Sequence, residues 1–380
     1  MYYDYLVVGA GLFGSIFAHE KTRQGYKCLV IDRRDHIGGN IYTKEIDGIQ
    51  VHQYGAHIFH TSDKAIWKYI QQFAEFNHFI NSPLAVYKDE QYNLPFNMNT
   101  FSKMWGIKTP EEAKQKIREQ IAGLQLSLPA KNLEEQALHL VGTDIYEKLI
   151  RGYTQKQWGR ECRELPSFII KRLPLRFIYD NNYFNDPYQG IPIGGYTEMV
   201  RKMLNGTEVW LRTNFSELGA VYQPIMKSYT GKLPNGKEIR LGKIIYSGPI
   251  DEYYHFCYGP LAYRTLRFET EKLSIENFQG NAVVNYTDEE IPYTRIIEHK
   301  HFEFGQQPTT IISREYPAEW HMGMEAYYPI NDEENTKKYQ MYKEKASHDK
   351  QIVFGGRLGQ YRYFDMDRVI KAALECVEQE

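Results

Sequence analysis

The chain has 380 residues and a formal net charge of −2, with 42% hydrophobic, 25% charged and 14% aromatic residues. These values predict a folded protein of two or three domains and exclude a disordered chain. The balanced charge does not favour nucleic acid or an anionic membrane as a partner. Four cysteines stand far apart without a C-x-x-C pair. We therefore expect no zinc site, no other metal and no disulfide framework, and a reducing compartment.

The N-terminal apolar stretch, residues 6–18, resembles the core of a secretory signal. However, Asp4 precedes it, no basic region does, and three glycines interrupt it. The sequence also lacks a run of about 18 apolar residues, which a membrane span requires. We therefore expect a cytoplasmic protein without membrane insertion.

The first elements predict a βαβ unit. Residues 3–8 form a short apolar strand, residues 13–24 have helical character with Gly25 as a stop, and residues 28–31 form a second buried strand. Such a unit indicates a parallel sheet. An amphipathic helix is predicted over 62–76, and a hairpin over 84–96.

The next segment, about 100–165, is predicted to be helical. Thr109 followed by Pro110 and Glu112 gives a capping signal, Asn132 with Glu135 repeats it, and Gly142 stops that helix. The segment follows the βαβ region directly, so we interpret it as an inserted helical domain.

From residue 207 onward the pattern predicts β structure. Asn235-Gly236 favours a type I′ turn between strands at 225–233 and 238–241. Five further strands are predicted, at 244–246, 262–268, 281–286, 295–302 and 309–314. Successive strands without helices between them imply an antiparallel sheet. Residues 351–354 are predicted to return to the first layer, and a helix over 366–379 to close the chain.

A glycine-rich turn follows the first strand. Gly9-Ala10-Gly11-Leu12-Phe13-Gly14 matches G-x-G-x-x-G, in which the glycines allow a tight turn, the approach of a pyrophosphate, and close helix packing. Asp32 lies 23 residues beyond Gly9, at the end of the second strand, where an acid accepts hydrogen bonds from ribose hydroxyls. An ordinary strand-to-helix turn is the alternative, but the strand, the glycines and the acid coincide here.

Two further segments favour FAD over NAD. Arg33-Arg34 followed by Gly38-Gly39-Asn40 resembles the extended signature of FAD proteins related to glutathione reductase and the amine oxidases. Near the C-terminus, Phe354-Gly355-Gly356-Arg357 precedes a helix that could face the ribityl-phosphate region. No second G-x-G-x-x-G follows a strand, so a separate NADPH domain is not evident.

A more specific resemblance comes from eight ordered motifs, at 54–61, 153–159, 171–174, 180–184, 285–287, 292–295, 325–329 and 356–366. They include Tyr54-Gly55-Ala56-His57-Ile58-Phe59-His60-Thr61 and Tyr153-Thr154-Gln155-Lys156-Gln157-Trp158-Gly159. Over nearly the whole chain they resemble the bacterial UDP-galactopyranose mutase family. The β region around 217–243 is longer than expected for that family and carries none of the motifs.

The resemblance implies an α/β fold with a Rossmann-like FAD-binding domain, an inserted helical domain and an antiparallel β-sheet domain. We expect the FAD-binding domain at 1–80 plus about 190–215 and 345–380. The helical domain is expected at about 97–190, with a mobile substrate lid near 166–187. The sheet domain is expected at about 81–96 plus 216–344.

The resemblance also implies an isomerase that interconverts UDP-galactopyranose and UDP-galactofuranose without net redox change, supplying galactofuranose for cell-surface polysaccharide. FAD must be reduced, because its N5 attacks the anomeric carbon, expels UDP and forms a covalent flavin–sugar adduct. Bacterial members are typically homodimers. Two alternatives stay open: an oxidoreductase of the amine-oxidase type, and a non-catalytic nucleotide-sugar binding protein.

The resemblance assigns roles to individual residues. The diphosphate would meet arginines, whose guanidinium groups match phosphate oxygens. Expected catalytic residues are Arg172, Arg295, His60 and Asp365. Expected substrate-binding residues are Asn81, Tyr153, Thr154, Trp158, Arg172, Tyr183, Asn285, Arg295, Tyr328 and Tyr363. Expected cofactor-binding residues are Gly9, Gly11, Phe13, Gly14, Asp32, Arg33, Gly39, Asn40, His57, Ile58, Arg357 and Met366. For each arginine the ordinary alternative is a surface ion pair, and for Trp158 it is core packing.

Overall fold

A computed structural model describes residues 1–170 and 175–380 of the chain. Its described strands are β1 (Tyr2–Val8), β2 (Cys28–Ile31), β3 (Thr43–Ile46), β4 (Ile49–His52), β5 (Phe59–Thr61), β6 (Leu84–Tyr87), β7 (Glu90–Asn93), β8 (Tyr188–Gly190), β9 (Glu208–Trp210), β10 (Val221–Gln223), β11 (Ser228–Lys232), β12 (Glu238–Tyr246), β13 (Tyr263–Leu273), β14 (Val283–Tyr286), β15 (Arg295–Glu298), β16 (Thr310–Glu319), β17 (Tyr328–Pro329) and β18 (Ile352–Phe354).

The described helices are α1 (Leu12–Arg23), α2 (Lys64–Ile70), α3 (Met98–Trp105), α4 (Pro110–Ile121), α5 (Leu133–Ile145), α6 (Gly152–Trp158), α7 (Tyr196–Met203), α8 (Ile250–Tyr253), α9 (Glu333–Ser347), α10 (Gly356–Gly359) and α11 (Met366–Gln379). Short 3₁₀ and π turns connect several of them. None of these helices has the length and apolar content needed to cross a membrane.

The first sheet has the strand order β10-β11-β12-β1-β2-β9, and β18 also pairs with β12. Strand β1 is parallel to both β2 and β12, as the βαβ pattern predicts. Such strands are apolar along their whole length because both faces of a parallel sheet are covered. Helices α1, α7 and α11 cover one face, where Phe17, Met203 and Ile370 pack together.

The helical segment α3–α6 has its own core, which includes Phe101, Ala137 and Ile145. Helix α4 begins with the predicted capping box, in which Thr109 and Glu112 each accept the other's backbone N–H. Helix α5 is broken at Gly142, whose φ of 77° lies outside the helical range, so the predicted stop is confirmed there.

The second sheet has the order β17-β13-β16-β15-β14-β6-β7. Neighbours are antiparallel except for the parallel pair β6 and β14, which attaches the predicted hairpin to the sheet. Ten residue pairs join β13 to β16, which are the two longest strands of this sheet. The predicted antiparallel sheet is therefore confirmed for β13–β17.

The segment 221–246 belongs to the first sheet, whereas the sequence analysis places it in the antiparallel sheet domain. Strands β10, β11 and β12 belong to the first sheet, because β12 runs parallel to β1 over Tyr2–Val8. Hydrophobic alternation does not tell which sheet a strand will join. The boundaries of the three domains stay predictions.

Three local predictions are also corrected. The helix predicted over 62–76 is only α2, and the strand predicted over 295–302 ends at Glu298 before a 3₁₀ turn. The Asn235-Gly236 turn is not type I′, because only Gly236 has positive φ and its N–H donates to the carbonyl of Leu233. Pro234 occupies the position after Leu233 and requires negative φ, which a type I′ turn forbids.

Candidate active site

A first cavity of about 220 Å³ opens where β1, β2 and β12 end. Parallel α/β sheets bind ligands at the carboxyl ends of their strands, where loops diverge. The predicted cofactor residues that line it are Gly9, Gly11, Phe13, Asp32, Arg33, Gly39, Asn40, His57, Arg357 and Met366. Helix α1 begins directly at this cavity, so its free backbone N–H groups favour an anionic group there.

The glycines shape this cavity in different ways. A Cβ on Gly39 would stand 2.9 Å from the Cα of Gly11, so this close approach of the two backbones requires glycine at position 39. A Cβ on Gly14 would overlap the carbonyl oxygen of Gly9. Gly14 therefore lies below the cavity and serves helix packing, the third role expected of the motif.

Asp32 is buried at the cavity floor. Its Oδ2 accepts the N–H of Ala10 at 2.8 Å, and its Oδ1 accepts the N–H of Arg34 at 2.9 Å. Each carboxylate oxygen has a second lone pair, which leaves an acceptor for a ribose hydroxyl. The adjacent Arg33 and Arg34 both pair with Glu325, at 3.1 and 2.6 Å.

A second cavity of about 460 Å³ adjoins the first, and His57, Arg357 and Met366 line both. The other expected site residues on its wall are Ile58, His60, Asn81, Tyr153, Thr154, Trp158, Tyr183, Asn285, Arg295, Tyr328, Tyr363 and Asp365. They come from the second sheet, from β5, from α6 and from loops, so the fold gathers residues as far apart in the sequence as Ile58 and Asp365.

Arg295 is the central cation of this wall. Its Nε lies 3.1 Å from Oε1 of Glu315, and its Nη2 donates to the hydroxyl of Tyr153 at 2.7 Å. Burial opposes the charge, but the Glu315 carboxylate outweighs it and raises the pKa of Arg295. Glu315 is itself buried, so the two groups form a fixed pair at the cavity edge.

At the junction of the cavities, Arg357 donates to the carbonyls of Tyr327 and Phe364, at 3.2 and 2.6 Å. Its guanidinium also faces the rings of Tyr328 and Tyr363. The Tyr363 hydroxyl donates to Asp365 at 3.0 Å. The pKa of Tyr363 is raised, mainly by loss of solvent around the hydroxyl and also by the negative charge of Asp365.

The two histidines of the 54–61 motif have different surroundings. Burial lowers the pKa of His57 to about 4, while its Nδ1 lies 2.8 Å from the carbonyl of Gly55. Nδ1 of His60 lies 2.6 Å from Oδ2 of Asp186. His57 is thus neutral at physiological pH, with its Nδ1 the donor.

The amides on the wall provide unused acceptors. Asn285 Oδ1 is buried and has no hydrogen-bond partner among the described residues. An orphaned buried oxygen is costly unless a ligand supplies a donor. Asn81 is buried on the same wall, and its backbone carbonyl accepts the N–H of Tyr183 at 2.8 Å.

The position of Arg172 cannot be compared, because residues 171–174 lie outside the described residues. Three wall or support residues were missed by the sequence analysis: Glu315, Asp186 and Lys156. Glu315 and Asp186 acquire a function only through partners that the fold brings to them. Within 1–170 and 175–380, no three His, Cys, Asp or Glu side chains form a metal-binding group.

Comparison with known proteins decides the family. A family model described as UDP-galactopyranose mutase matches residues 148–363, more than half of the chain, and one described as NAD(P)-binding Rossmann-like domain matches 7–73. The chain belongs to the UDP-galactopyranose mutase family. The second match covers the glycine-rich turn, α1 and β2.

Individual relatives cover almost the full length. A Klebsiella pneumoniae protein named probable UDP-galactopyranose mutase is 38% identical, covering 98% of this chain and 94% of its own. An Escherichia coli dTDP-fucopyranose mutase is 36% identical, covering 98% and 97%. A crystal structure of reduced UDP-galactopyranose mutase superimposes with a TM-score of 0.75, covering 99% and 93% at 14% identity, which shows the shared fold.

Proposed function

We propose that this protein is an isomerase that interconverts UDP-galactopyranose and UDP-galactofuranose without net redox change. Family membership supports the reaction, and one observation in the structure carries it. The dinucleotide cavity and the polar second cavity share His57, Arg357 and Met366. A redox cofactor in the first cavity would therefore end beside a substrate in the second.

The residues of the first cavity fit FAD. The close approach of Gly11 and Gly39 leaves backbone without side chains for a pyrophosphate, and Asp32 keeps an acceptor for the ribose. The start of α10 borders the same cavity: Gly356 lines it, and Gly355, the residue before α10, lies against the ring of Phe13.

When bound and reduced, FAD supplies a nucleophilic nitrogen next to the anomeric carbon of the sugar. A UDP-galactopyranose mutase of the same fold is known in its reduced form, and the proposed chemistry requires that form of the cofactor here. Arg357 lies at the junction of the cavities, where its charge favours an anionic cofactor ring.

The protein's own part of the reaction is to hold the diphosphate while it leaves and returns. Arg295 presents a guanidinium edge beside the hydroxyl of Tyr153, and Glu315 fixes its direction. Tyr328 and Tyr363 lie on the same wall with ring centroids 5.8 Å apart, and the Tyr328 hydroxyl adds a donor. Arg172 remains predicted, from the sequence alone, as a second arginine in a closing lid.

The sugar and base would occupy the two ends of the second cavity. The buried Oδ1 of Asn285 needs a donor, which a sugar hydroxyl provides. Trp158 and Thr154 lie at the α6 end, beside the aliphatic side chains of Leu149 and Ile150. An aromatic and aliphatic lining suits a pyrimidine and excludes water from the reacting carbon.

A second candidate substrate is dTDP-fucopyranose, because the dTDP-fucopyranose mutase of E. coli matches this chain almost as closely as the Klebsiella protein. The two substrates differ in the base methyl, the 2′-hydroxyl of the ribose and the C6 hydroxyl of the hexose. UDP-galactose is our first choice, because the family model that matches more than half of the chain is described as UDP-galactopyranose mutase.

The experiment is to purify the protein, record its flavin spectrum and incubate it with UDP-galactofuranose or dTDP-fucofuranose. Each incubation is run with and without dithionite, and products are separated by chromatography. Pyranose product from UDP-galactofuranose only after reduction supports the proposal. Stoichiometric peroxide or substrate oxidation would instead support an amine-oxidase-like enzyme, and binding without product a non-catalytic protein. Faster turnover of the dTDP sugar would reverse the choice of substrate.

The same proposal includes a cytoplasmic homodimer that supplies galactofuranose for cell-surface polysaccharide. These features come from the family resemblance. Sedimentation equilibrium at micromolar concentration tests the dimer directly, and loss of furanose from surface glycans in a deletion strain tests the supply.

A further inference from the structure

Asp186, in the segment that the sequence analysis predicts to be a substrate lid, contacts His60. Its Oδ2 lies 2.6 Å from His60 Nδ1, and its Oδ1 accepts a hydrogen bond from the Ser62 hydroxyl. His60 lies within β5 and Ser62 directly follows it, whereas Asp186 lies just before β8, the strand that pairs with β5. One carboxylate therefore joins the two strands beside the second cavity.

The face of the His60 imidazole is also in contact with an aromatic ring. The ring of Phe184 stacks on it with centroids 3.7 Å apart and planes inclined by 14°. The backbone of His60 is fixed by its pairing with Gln189 in β8. The ring thus has one orientation, in which Nδ1 faces Asp186, and no described residue bonds Nε2. His60 itself lines the second cavity.

The charge state of Asp186 follows from its surroundings. Burial raises its pKa, but hydrogen bonds from Ser62 and His60 outweigh burial, so that the pKa lies below its ordinary value. Arg368 on α11 adds a positive charge nearby, whereas the neighbouring Asp367 accepts from Thr61. Asp186 is therefore an ionised acceptor at neutral pH.

An ionised carboxylate can only accept hydrogen bonds, so the contact at 2.6 Å requires a proton on Nδ1. A neutral imidazole carries one proton, and in other settings either nitrogen can hold it. Here the carboxylate fixes it on Nδ1, in the neutral and in the charged ring alike. The proton that is gained or lost must then be the one on Nε2.

We propose that Asp186 is a positioning residue that fixes the Nδ1–H tautomer of His60 and so makes Nε2 the nitrogen that exchanges a proton with the cavity. The use of that proton in opening and closing the sugar ring rests on the proposed function. The tautomer itself does not, because it depends only on the contacts of Asp186.

The tautomer is measured on the flavin-loaded protein with ¹⁵N-labelled histidine by two-dimensional ¹H–¹⁵N NMR, and His60→Gln identifies the His60 signals. In the neutral ring we expect a protonated Nδ1 and an unprotonated Nε2. In Asp186→Ala the signals should move toward the Nε2–H tautomer. An Nε2–H tautomer in the unchanged protein overturns the proposal, and so does an Nδ1–H tautomer that persists in the variant.

Kinetics supply the second measurement. Asp186→Ala should lower kcat for UDP-galactofuranose at least about tenfold, with KM changed less than about twofold, because the proton donor and not the binding wall is lost. Asp47→Asn is the control: it removes an exposed carboxylate, paired with Lys272, that lies outside all of the motifs. It should retain kcat.

The two proposals fail separately. If the unchanged protein has no isomerase activity, the proposed function is wrong, but the NMR spectra still decide the tautomer. If the protein is active and Asp186→Ala matches the Asp47→Asn control in kcat, the positioning role is wrong. If Asp186→Ala does not fold, the tautomer of the unchanged protein decides the question.

Discussion

Arg295 and Glu315 form an ion pair across the neighbouring strands β15 and β16, with Nε and Oε1 3.1 Å apart at the edge of the second cavity. The pairing register places the two residues directly opposite each other. Because Glu315 is buried, its charge depends on this arginine for compensation. The pair also leaves the opposite edge of the guanidinium free for a diphosphate.

Arg295→Ala should therefore weaken the binding of UDP about 10- to 100-fold, since a charge-assisted hydrogen bond contributes about 1.5–3 kcal/mol. Isothermal titration calorimetry of the flavin-loaded protein with UDP measures this. The control is Arg267→Ala, which removes an exposed arginine paired with Glu269. Equal affinity in both variants would exclude Arg295 from the diphosphate site.

The same pair predicts a rescue of stability. Arg295→Ala leaves a buried, unpaired carboxylate and should lower the free energy of unfolding by about 3 kcal/mol. Adding Glu315→Gln removes that charge and should restore more than half of the loss, without restoring UDP binding. Urea unfolding of the single and double variants tests it, and additive losses would contradict the ion-pair argument.

Gly11 and Gly14 should separate cofactor binding from folding. A Cβ on Gly11 meets the Cα of Gly39 at an ordinary 3.6 Å, so Gly11→Ala should fold but lose most of its flavin, because the methyl group occupies the pyrophosphate approach. Gly14→Ala overlaps the carbonyl of Gly9 and should instead lower the Tm.

The flavin-to-protein absorbance ratio and the melting temperature of each variant are measured together. Normal flavin content in Gly11→Ala would contradict the assignment of the first cavity. An unchanged Tm of the apoprotein in Gly14→Ala would contradict the packing role.

Lys156 joins α6 to the second sheet. Its Nζ donates to the carbonyls of Tyr286, Asp288, Ile291 and Tyr293 at 2.7–3.1 Å. Lys156→Met leaves these acceptors without their donor, so we expect a loss of about 3 kcal/mol in the free energy of unfolding. Lys338→Met is the control, since that half-buried lysine pairs with Glu334 and donates to one described carbonyl, that of Pro260. Similar losses in both would refute the cross-link.

Buried histidines should make stability fall in mild acid. Burial lowers the pKa of His299 to about 3, while the unfolded chain retains the ordinary value of 6.5. Between these values the unfolded state binds more protons, so stability is complete above pH 6.5 and is lost as pH falls toward 3. The slope should be about 1.4 kcal/mol per pH unit for this residue.

Urea unfolding at pH 7, 6, 5 and 4 measures that slope. In His299→Gln the slope should decrease by about 1.4 kcal/mol per pH unit, which corresponds to one proton, whatever the change in absolute stability. The exposed His321→Gln is the control and should retain the original slope. A slope unaffected by the loss of His299 would show that other groups control the acid response.

Much of the first layer was predictable from local sequence. The apolar runs at 3–8 and 28–31, the glycine turn and the capping boxes depend on neighbours within a few residues, which the sequence displays directly. The assignment of the segment 221–246 was not predictable in this way. Its strands alternate like those of the second sheet, and only the pairing of β12 with β1 settles where they belong.

By itself, the sequence determined the dinucleotide-binding turn, the family and the residue types available for a nucleotide sugar, because these are carried by short motifs in fixed order. The tertiary structure alone decided which charges meet. Glu315 faces Arg295 because β15 and β16 are in register, and Asp186 reaches His60 because β8 returns to β5. A carboxylate's effect on its neighbour depends on a separation of a few ångströms, and the chain reaches that separation only after its distant segments have packed.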